Sequence, residues 1–545
     1  MIYKKITHLF GIGFLLLISL GAHAQLPAPV PNIESIVSGS PSPGNLFIGP
    51  RSRNVTDTLP SSIMVCDSVG QPIWHSSIVV PNTPSYANAF PADFKLLNDS
   101  TMSYCIRPYG NYVFHFLDRD FNLIDTLICV PDDTDEHEMI EDLQGNRYYL
   151  CKQFSNEDCS GLNTIDGLPG GSNCNVLSIR LVVEDPAGNT LWTWNTLDHI
   201  SIPETSPFYF FTPNYLDHAH TNSIAFDLDS NLVLSHRNNF QIMKINRTNG
   251  DVMWRLGGVN NEFTFIGDSI QFTGQHDARI LPNGNLSIFD NGTFQQFARY
   301  IEYELDTVAM TATLVREHRH PTLENAAIMG SSQYLPDSNV LACWGGHFTT
   351  FHTPKITEYA PDGSITMQVK LPYEYTSYRA YKEVLPFALE RPEVTCDNGS
   401  LTFSAPPGYS TYAWNTGDTT QTISVTSPGT YQVWVNHGIG FLNSRKYVVT
   451  DINNICLALN QENPTHETLS GYPNPFEDRL TLEIPLQLAG AWDAEAFDIT
   501  GKRMGFQSGK GYGEVVFPTE AWPAGMYFVR LSGMKGYYLG KFTKQ

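Results

Sequence analysis

Histidine can give or take a proton, or attack an electrophile, near neutral pH, because its ordinary pKa lies near 6.5. Three histidines of this 545-residue chain occupy the same place in a repeated pattern. The segments read HEMIEDLQGNRYYL from His137, HTNSIAFDLDSNLVLS from His220 and HDARILPNGNLSIF from His276. Each runs histidine, alternating residues, a polar turn with Asn or Gly, then an apolar strand. Segments from Asp93 and Gly330 keep the pattern without the histidine. Such repetition marks a stack of equivalent units. Equivalent positions in a closed ring of units face one common space. The expectation is that His137, His220 and His276 meet at one site.

Other polar residues cluster near them in sequence. His218 and Asn222 flank His220, Arg237 lies in SHRNN, and Asp290-Asn291-Gly292 closes the His276 segment. Arg299 opens RYIEYELD, His318 and His320 lie in VREHRHP, and His347 and His352 lie in GGHFTTFHTP. Alternate residues of a strand face one side, so His218 and His220 share a face if extended, and the repeat aligns His220 with His276. A neutral imidazole can act as a nucleophile, an arginine can hold two oxygens of an oxyanion, and a second histidine can donate to a third. The acidic run DDTDEHE around His137 lacks the Asp-x-Asp-x-Asp-Gly spacing of a calcium loop and reads as a solvated loop. His220, His276 and His320 could share a transition metal, but Arg299 nearby would disfavour it. No metal and no cofactor is assigned.

These residues need a scaffold, and a second repeat describes one. Apolar strand, Asp or Asn, short turn and return strand recur from Ile63, Phe114, Leu181, Ile242, Ile301 and Ile356. Each copy reads as a hairpin. With the preceding inner hairpin, each unit has about four strands, which is one propeller blade. The expected fold is all-β: a six-bladed β-propeller followed by two small β-sandwich domains. Aromatic residues at 12%, charged residues at 16%, 42 Gly and 35 Pro agree with a turn-rich β protein. The net charge of −22 argues against nucleic acid as a partner. A local Arg/His cluster can still hold a small anion.

Residues 1–24 read as a signal peptide: Lys4 and Lys5, an apolar run from Phe10 to Leu20, and Ala22-His23-Ala24 before the cut. The propeller is expected over 25–390 and an immunoglobulin-like sandwich over 391–455, built on Trp414 and the strand TYQVWV. That module reads as a spacer or binding accessory. A linker follows at 456–469 and a C-terminal domain at 470–545. No later run is long enough to span a bilayer. The nine cysteines suit an oxidising compartment. Cys159 with Cys174, and Cys396 with Cys456, are the expected pairs, with Cys343 a buried free thiol. No Cys-x-x-Cys occurs.

Two resemblances follow from these motifs. SPGNLFIGP, DHAHTNSI, NLVLSHRNNFQIMKIN, MWRLGG, QHDARILPNGNLSIFDNG and ARYIEYELD, in this order over roughly Gly44 to Leu385, resemble the bacterial arylsulfate sulfotransferases. The resemblance implies a six-bladed propeller moving a sulfuryl group from a phenolic sulfate ester to a phenol. Transfer would run through a sulfohistidine, without a nucleotide donor. It implies His320 as nucleophile, with His318 as second match. Arg299 and His276 would stabilise the oxyanion, and His220 would act as acid/base or positioning group. His137 would line the funnel, Arg237 would brace the site, Asn222 and Asp290 would support it, and His347 would sit on the rim. GYPNPFEDRLTLEIP, FDITGKRM, PAGMYFVRL and the basic end GKFTKQ resemble the type IX secretion sorting domain. That implies passage across a Gram-negative outer membrane, then release or surface anchoring. The competing expectation is a non-catalytic surface propeller for binding or adhesion.

Overall fold

In the computed structural model, residues 31–545 are described except 32, 53–60, 79–90, 108–110, 296, 323, 325, 347–354, 373–374, 461–466, 470, 485–490, 499–501, 512 and 534–535. The expected signal peptide, His347 and His352 lie outside the described residues. No described helix is long and apolar enough to cross a membrane.

The described residues between 34 and 383 form six sheets of at least four strands each, antiparallel except where the short strands Tyr215–Asp217 and Thr264–Ile266 add in parallel. Their first strands are Ala92–Asn98, Asp133–Glu141, Thr221–Phe226, His276–Ile280, Ser331–Tyr334 and Tyr375–Glu383. Each first strand packs beside the next, and the last returns to the first. Radial sheets closed into a ring make a β-propeller. The ring is joined by strands from opposite ends of this region: Tyr375–Glu383 pairs with Asn45–Ser52, as in Phe47 with Tyr381.

Apolar cores lie between neighbouring sheets. One contains Tyr148, Leu150, Ile224 and Leu234, and the next contains Val233, Ile242, Leu286 and Ile288. Middle strands are therefore covered on both faces. Gln241–Ile245 is buried at every position, which explains its near-continuous apolar sequence. The outer hairpins turn where aspartates accept backbone N–H groups. Asp67 accepts from Gln71, Asp118 from Asn122 and Asp185 from Asn189, each at 2.8 Å.

The first strands are tied together by buried charge. Arg379 donates to Asp93 and Glu138, each at 2.8 Å, and to the Asn222 carbonyl at 2.6 Å. Arg279 reaches Glu138 and Asp277, each at 2.6 Å. Lys95 pairs with Asp93 at 2.7 Å and Glu138 at 2.5 Å. Asp277 also accepts the Ser332 N–H at 2.8 Å. All six first strands contribute a group, and three cations balance three carboxylates. A buried network matched in charge avoids the cost of a lone buried ion.

The region expected as a separate sandwich continues one propeller sheet. Gly440–Asn443 pairs with Pro72–Ile78 through Phe441 with His75 and Leu442 with Trp74. Trp74 Nε1 donates to the His437 carbonyl at 3.0 Å, and Arg391 Nη2 reaches Asp67 at 2.9 Å. One apolar core joins Trp74 and Phe121 to Phe403, Trp414 and Val433. The C-terminal region has a core of its own around Phe476, Phe517, Trp522 and Val529.

Cys396 is bonded to Cys456, as expected, and Cys129 to Cys151, which the sequence reading did not pair. Cys159 and Cys174 are free thiols within one small apolar core. Burial first, and the Cys174 thiol second, push Cys159 up to about 12. The loop between them is closed by backbone bonds, such as Cys159 N–H to the Gly171 carbonyl at 2.9 Å.

Candidate active site

His137 and His220 meet directly, with ring centroids 4.7 Å apart and planes at 77°. His137 stands on Asp133–Glu141. His220 precedes Thr221–Phe226 in the left-handed region, φ 50°, where the strand begins with a shift of register. Each imidazole is held at Nδ1 by a nearby carboxylate: Asp135 for His137 and Asp217 for His220, each at 2.6 Å. These bonds orient the rings and leave each Nε2 on the far side. Burial pulls the His137 pKa down, but the charge and hydrogen bond of Asp135, with Glu136 behind them, leave it raised overall. Burial would raise the Asp217 carboxyl, but His220 and then Arg237 hold it below the usual range.

His276 begins the neighbouring first strand and is held differently. Its Nδ1 lies 2.7 Å from Asn291 Oδ1 and 3.2 Å from the Gly274 carbonyl. The Asn291 amide donates to the Ala326 and Met329 carbonyls at 2.9 and 2.7 Å. Its Oδ1 is therefore the acceptor, the His276 proton sits on Nδ1, and Nε2 keeps its lone pair. Burial, then the Arg237 charge, push His276 well below its ordinary value against the Asn291 bond. His137 and His220 push the same way. His137 and His220 are thus in ring contact, and the charge of each bears on His276.

Arg237 opens the tight turn Arg237–Asn239 at the end of Leu232–His236. Its guanidinium lies 4.3 Å from the centre of the Tyr209 ring. Its Nη atoms donate to Asn238 Oδ1 at 3.2 Å and the Ala327 carbonyl at 3.3 Å. Among the described residues no carboxylate lies within ion-pair distance of it. Its charge remains available to an incoming anion.

Arg299 is in the opposite condition, which corrects its expected role. All five of its N–H groups are used. Nε donates to Asp290 at 2.8 Å, Nη1 to Glu317 at 2.6 Å and Asp268 at 3.4 Å, and Nη2 to Asp268 at 2.8 Å and the Gln271 carbonyl at 2.6 Å. It is completely buried. A guanidinium with three carboxylates has no donor left for an oxyanion. Arg299 instead braces Asp290 and the 268–273 loop. Asp290 Oδ1 in turn accepts the Thr273 and Gly292 N–H groups, each at 3.0 Å.

His320 and His318 also depart from their expected roles. His320 lies past the outermost strand Thr311–Arg319, buried edge-on to Trp344 at 4.8 Å. Its Nδ1 accepts the Thr322 N–H at 3.2 Å. That lone pair is engaged, and the neutral ring carries its proton on Nε2, so it presents no free nucleophilic nitrogen. His318 is stacked between Tyr359 at 4.8 Å and Tyr300 at 5.8 Å. Burial lowers its pKa to about 4. Both are packing residues of the outer sheet. His218 is likewise internal, bonded to Thr205 and the Ile200 carbonyl.

Asn222 supports the site. Its Nδ2 donates to the Gln275 carbonyl at 2.8 Å, fixing the residue before His276. Asp135, Asp217, Asn291, Tyr209 and Tyr378 were not singled out as site residues by the sequence. Tyr378 stands 5.9 Å from His137. Only the short spacings Asp-x-His at 135–137 and Asp-x-x-His at 217–220 signalled the orienting carboxylates. Asp135, Glu136 and His137 offer ligand-type atoms within 4.8 Å of one another. Lys152 already pairs with Glu136 and, at 3.5 Å, with Asp135, so a resident cation answers that charge.

Comparison with known proteins gives two family matches. Residues 170–371 match the arylsulfotransferase (ASST) model and residues 470–545 the secretion system C-terminal sorting domain. The first contains His220, Arg237, His276 and Asn291 but not His137. The second marks the chain for export to the cell surface or the medium through type IX secretion. No curated protein matches the chain. Solved structures with a similar course include a protein of unknown function from Bacteroides caccae, at TM-score 0.38 and 12% identity, covering 62% of this chain and 98% of that one. A catalytically inactive virginiamycin B lyase from Staphylococcus aureus with quinupristin has TM-score 0.32 and 10% identity, covering 76% and 99%.

Proposed function

We propose that the chain is an exported arylsulfotransferase whose transfer centre is His276 with Arg237, His137 and His220. The reading starts from the match of residues 170–371 to the arylsulfotransferase model. The observation that carries it is the hydrogen-bond set of His276. A ring kept neutral, protonated on Nδ1 and within electrostatic reach of Arg237, His137 and His220, suits a nucleophile beside an oxyanion cradle.

In the first half-reaction His276 Nε2 attacks the sulfur of a phenolic sulfate ester. The N–S bond forms as the S–O bond to the aryl group breaks, and the phenolate leaves with the electron pair. Arg237 and the Nε2–H of His137 hold the sulfuryl oxygens, where negative charge is spread. His220 gives its Nε2 proton to the phenolate, or passes one from water. In the second half an acceptor hydroxyl loses its proton to His220, attacks sulfur and releases His276. Donor and acceptor here are phenols, so the two halves are near mirror images.

The test is incubation of the full chain with 4-nitrophenyl sulfate, followed by intact-mass and peptide analysis. The expected result is one acid-labile sulfuryl adduct on His276, discharged by added phenol and absent in His276→Ala. An adduct on His320, or none with the fold intact, would sink the assignment. In the second case a non-catalytic binding propeller would take its place.

A further inference from the structure

A cleft of about 410 Å³ opens on the far part of the turn that carries Arg237. Asn239 and Phe240, the next residues of that turn, line it together with Leu162, Val259, Ile270 and Phe272. The volume is in the range that holds a small organic molecule. Gly257 and Gly258 let its floor close. A Cβ at Gly258 would meet the Asn239 carbonyl at 2.6 Å, and both glycines have positive φ. Arg299 holds its opposite wall through the Gln271 carbonyl.

Three buried polar atoms of its lining residues have no hydrogen-bond partner among the described residues: Asn239 Oδ1, Asn239 Nδ2 and Glu204 Oε2. The other oxygen of Glu204 is already engaged with Ser201, N–H and hydroxyl, at 2.9 and 3.0 Å. Unpaired buried polar atoms beside a cavity call for a partner. One amide that both donates and accepts suits a hydroxyl. Glu204 is the one ionisable residue among the described residues of the lining, which disfavours an anion.

We propose that this cleft binds an uncharged, largely apolar hydroxyl compound of the phenol class, separately from the sulfuryl-transfer centre. The choice of a phenol rests on the sulfuryl-transfer reading; the cleft and its unpaired atoms do not. The aromatic and aliphatic walls take the ring, and the Asn239 carboxamide takes the hydroxyl. The transfer centre takes the charged ester and, at the moment of attack, the acceptor hydroxyl; the cleft holds uncharged phenol apart from it.

The test is a fluorine NMR titration of the full chain with 4-fluorophenol and, in parallel, 4-fluorophenyl sulfate. Saturable phenol binding is expected, weakened about tenfold or more in Asn239→Leu, which corresponds to about 1.4 kcal/mol. Ile270→Trp, which fills the mouth from an exposed position, should weaken it likewise and covers the case in which Asn239→Leu does not fold. His276→Ala should bind the phenol as the parent does. Absent saturation, or binding unchanged in the folded variants, or equal occupancy of the cleft by the sulfate ester, overturns the proposal. Phenol binding without any sulfuryl adduct refutes the transfer reading and leaves the cleft. A normal adduct without phenol binding does the reverse.

Discussion

Asn291 offers its side-chain oxygen to His276 Nδ1 at 2.7 Å, while its amide is fixed by two backbone carbonyls. A carboxylate in this position would favour the charged imidazolium. The neutral amide sets the tautomer without inviting a second proton. Asn291→Asp should therefore raise the His276 pKa. Sulfuryl-adduct formation should then fall toward acidic pH more than in the parent, and it should recover as the pH rises. A parent-like pH profile in this variant would contradict the role.

The parent should show a one-sided pH dependence, with loss on the alkaline side only. His276 sits well below its ordinary value, so it stays neutral as pH falls past 6.5. His137 sits above its ordinary value, so its charged form persists past 6.5 and is lost as pH rises through the raised value. Activity should fall on the alkaline side. The stability that His137 contributes has the same sign: fully present below the unfolded pKa near 6.5 and lost as pH rises through the folded value. Rates and thermal midpoints measured against pH check both statements.

Arg237 and Arg299 should separate function from stability. Arg237→Gln should cost about 10²–10³ in kcat/KM, the usual effect of removing one electrostatic donor, with little change in Tm. Arg299→Met leaves Asp268 and Asp290 buried without their cation, which costs about 3–5 kcal/mol. Its first effect should be a large fall in Tm. Activity assays paired with calorimetry distinguish the two arginines.

The 391–455 region should behave as part of the propeller. Leu442→Asp places a charge where Leu442 pairs with Trp74. It should lower the single thermal transition of the propeller, where a detached spacer would leave that transition unmoved. Cutting the chain at 390 should expose Trp74 and a free strand edge, and so promote association. Light scattering of the truncated chain checks this.

The scaffold was legible because its signal is repetitive. Hairpins recur with apolar alternation and Asp-capped turns; counted back from the turns that open at Asp142, Asp227 and Leu281, His137 and His276 hold one place and His220 lies earlier, ahead of its strand. Cys396 and Cys456 were legible because they bracket one segment. The nucleophile and the clamp were not, because a strand pattern does not say what already surrounds a side chain. Arg299 and Arg237 both stand near the mouth of a strand. Only the fold shows that Asp268, Asp290 and Glu317 consume one and leave the other free. Asp268 is remote in sequence from Arg299, and nothing local announces the pairing. His320 likewise lost its role to a backbone N–H two residues away, a contact that depends on the turn.

The charge network of Arg379, Glu138, Asp93, Arg279, Asp277 and Lys95 draws on four of the six first strands, and the Asn222 carbonyl and Ser332 N–H of the other two complete the ring. It lies along the first strands just beyond the three histidines. A ring stopped in this way is a cup and not a pipe. Whatever enters must leave by the same mouth, so the spent phenol has to clear before the next hydroxyl arrives. The order of events would then be imposed by plumbing as much as by chemistry.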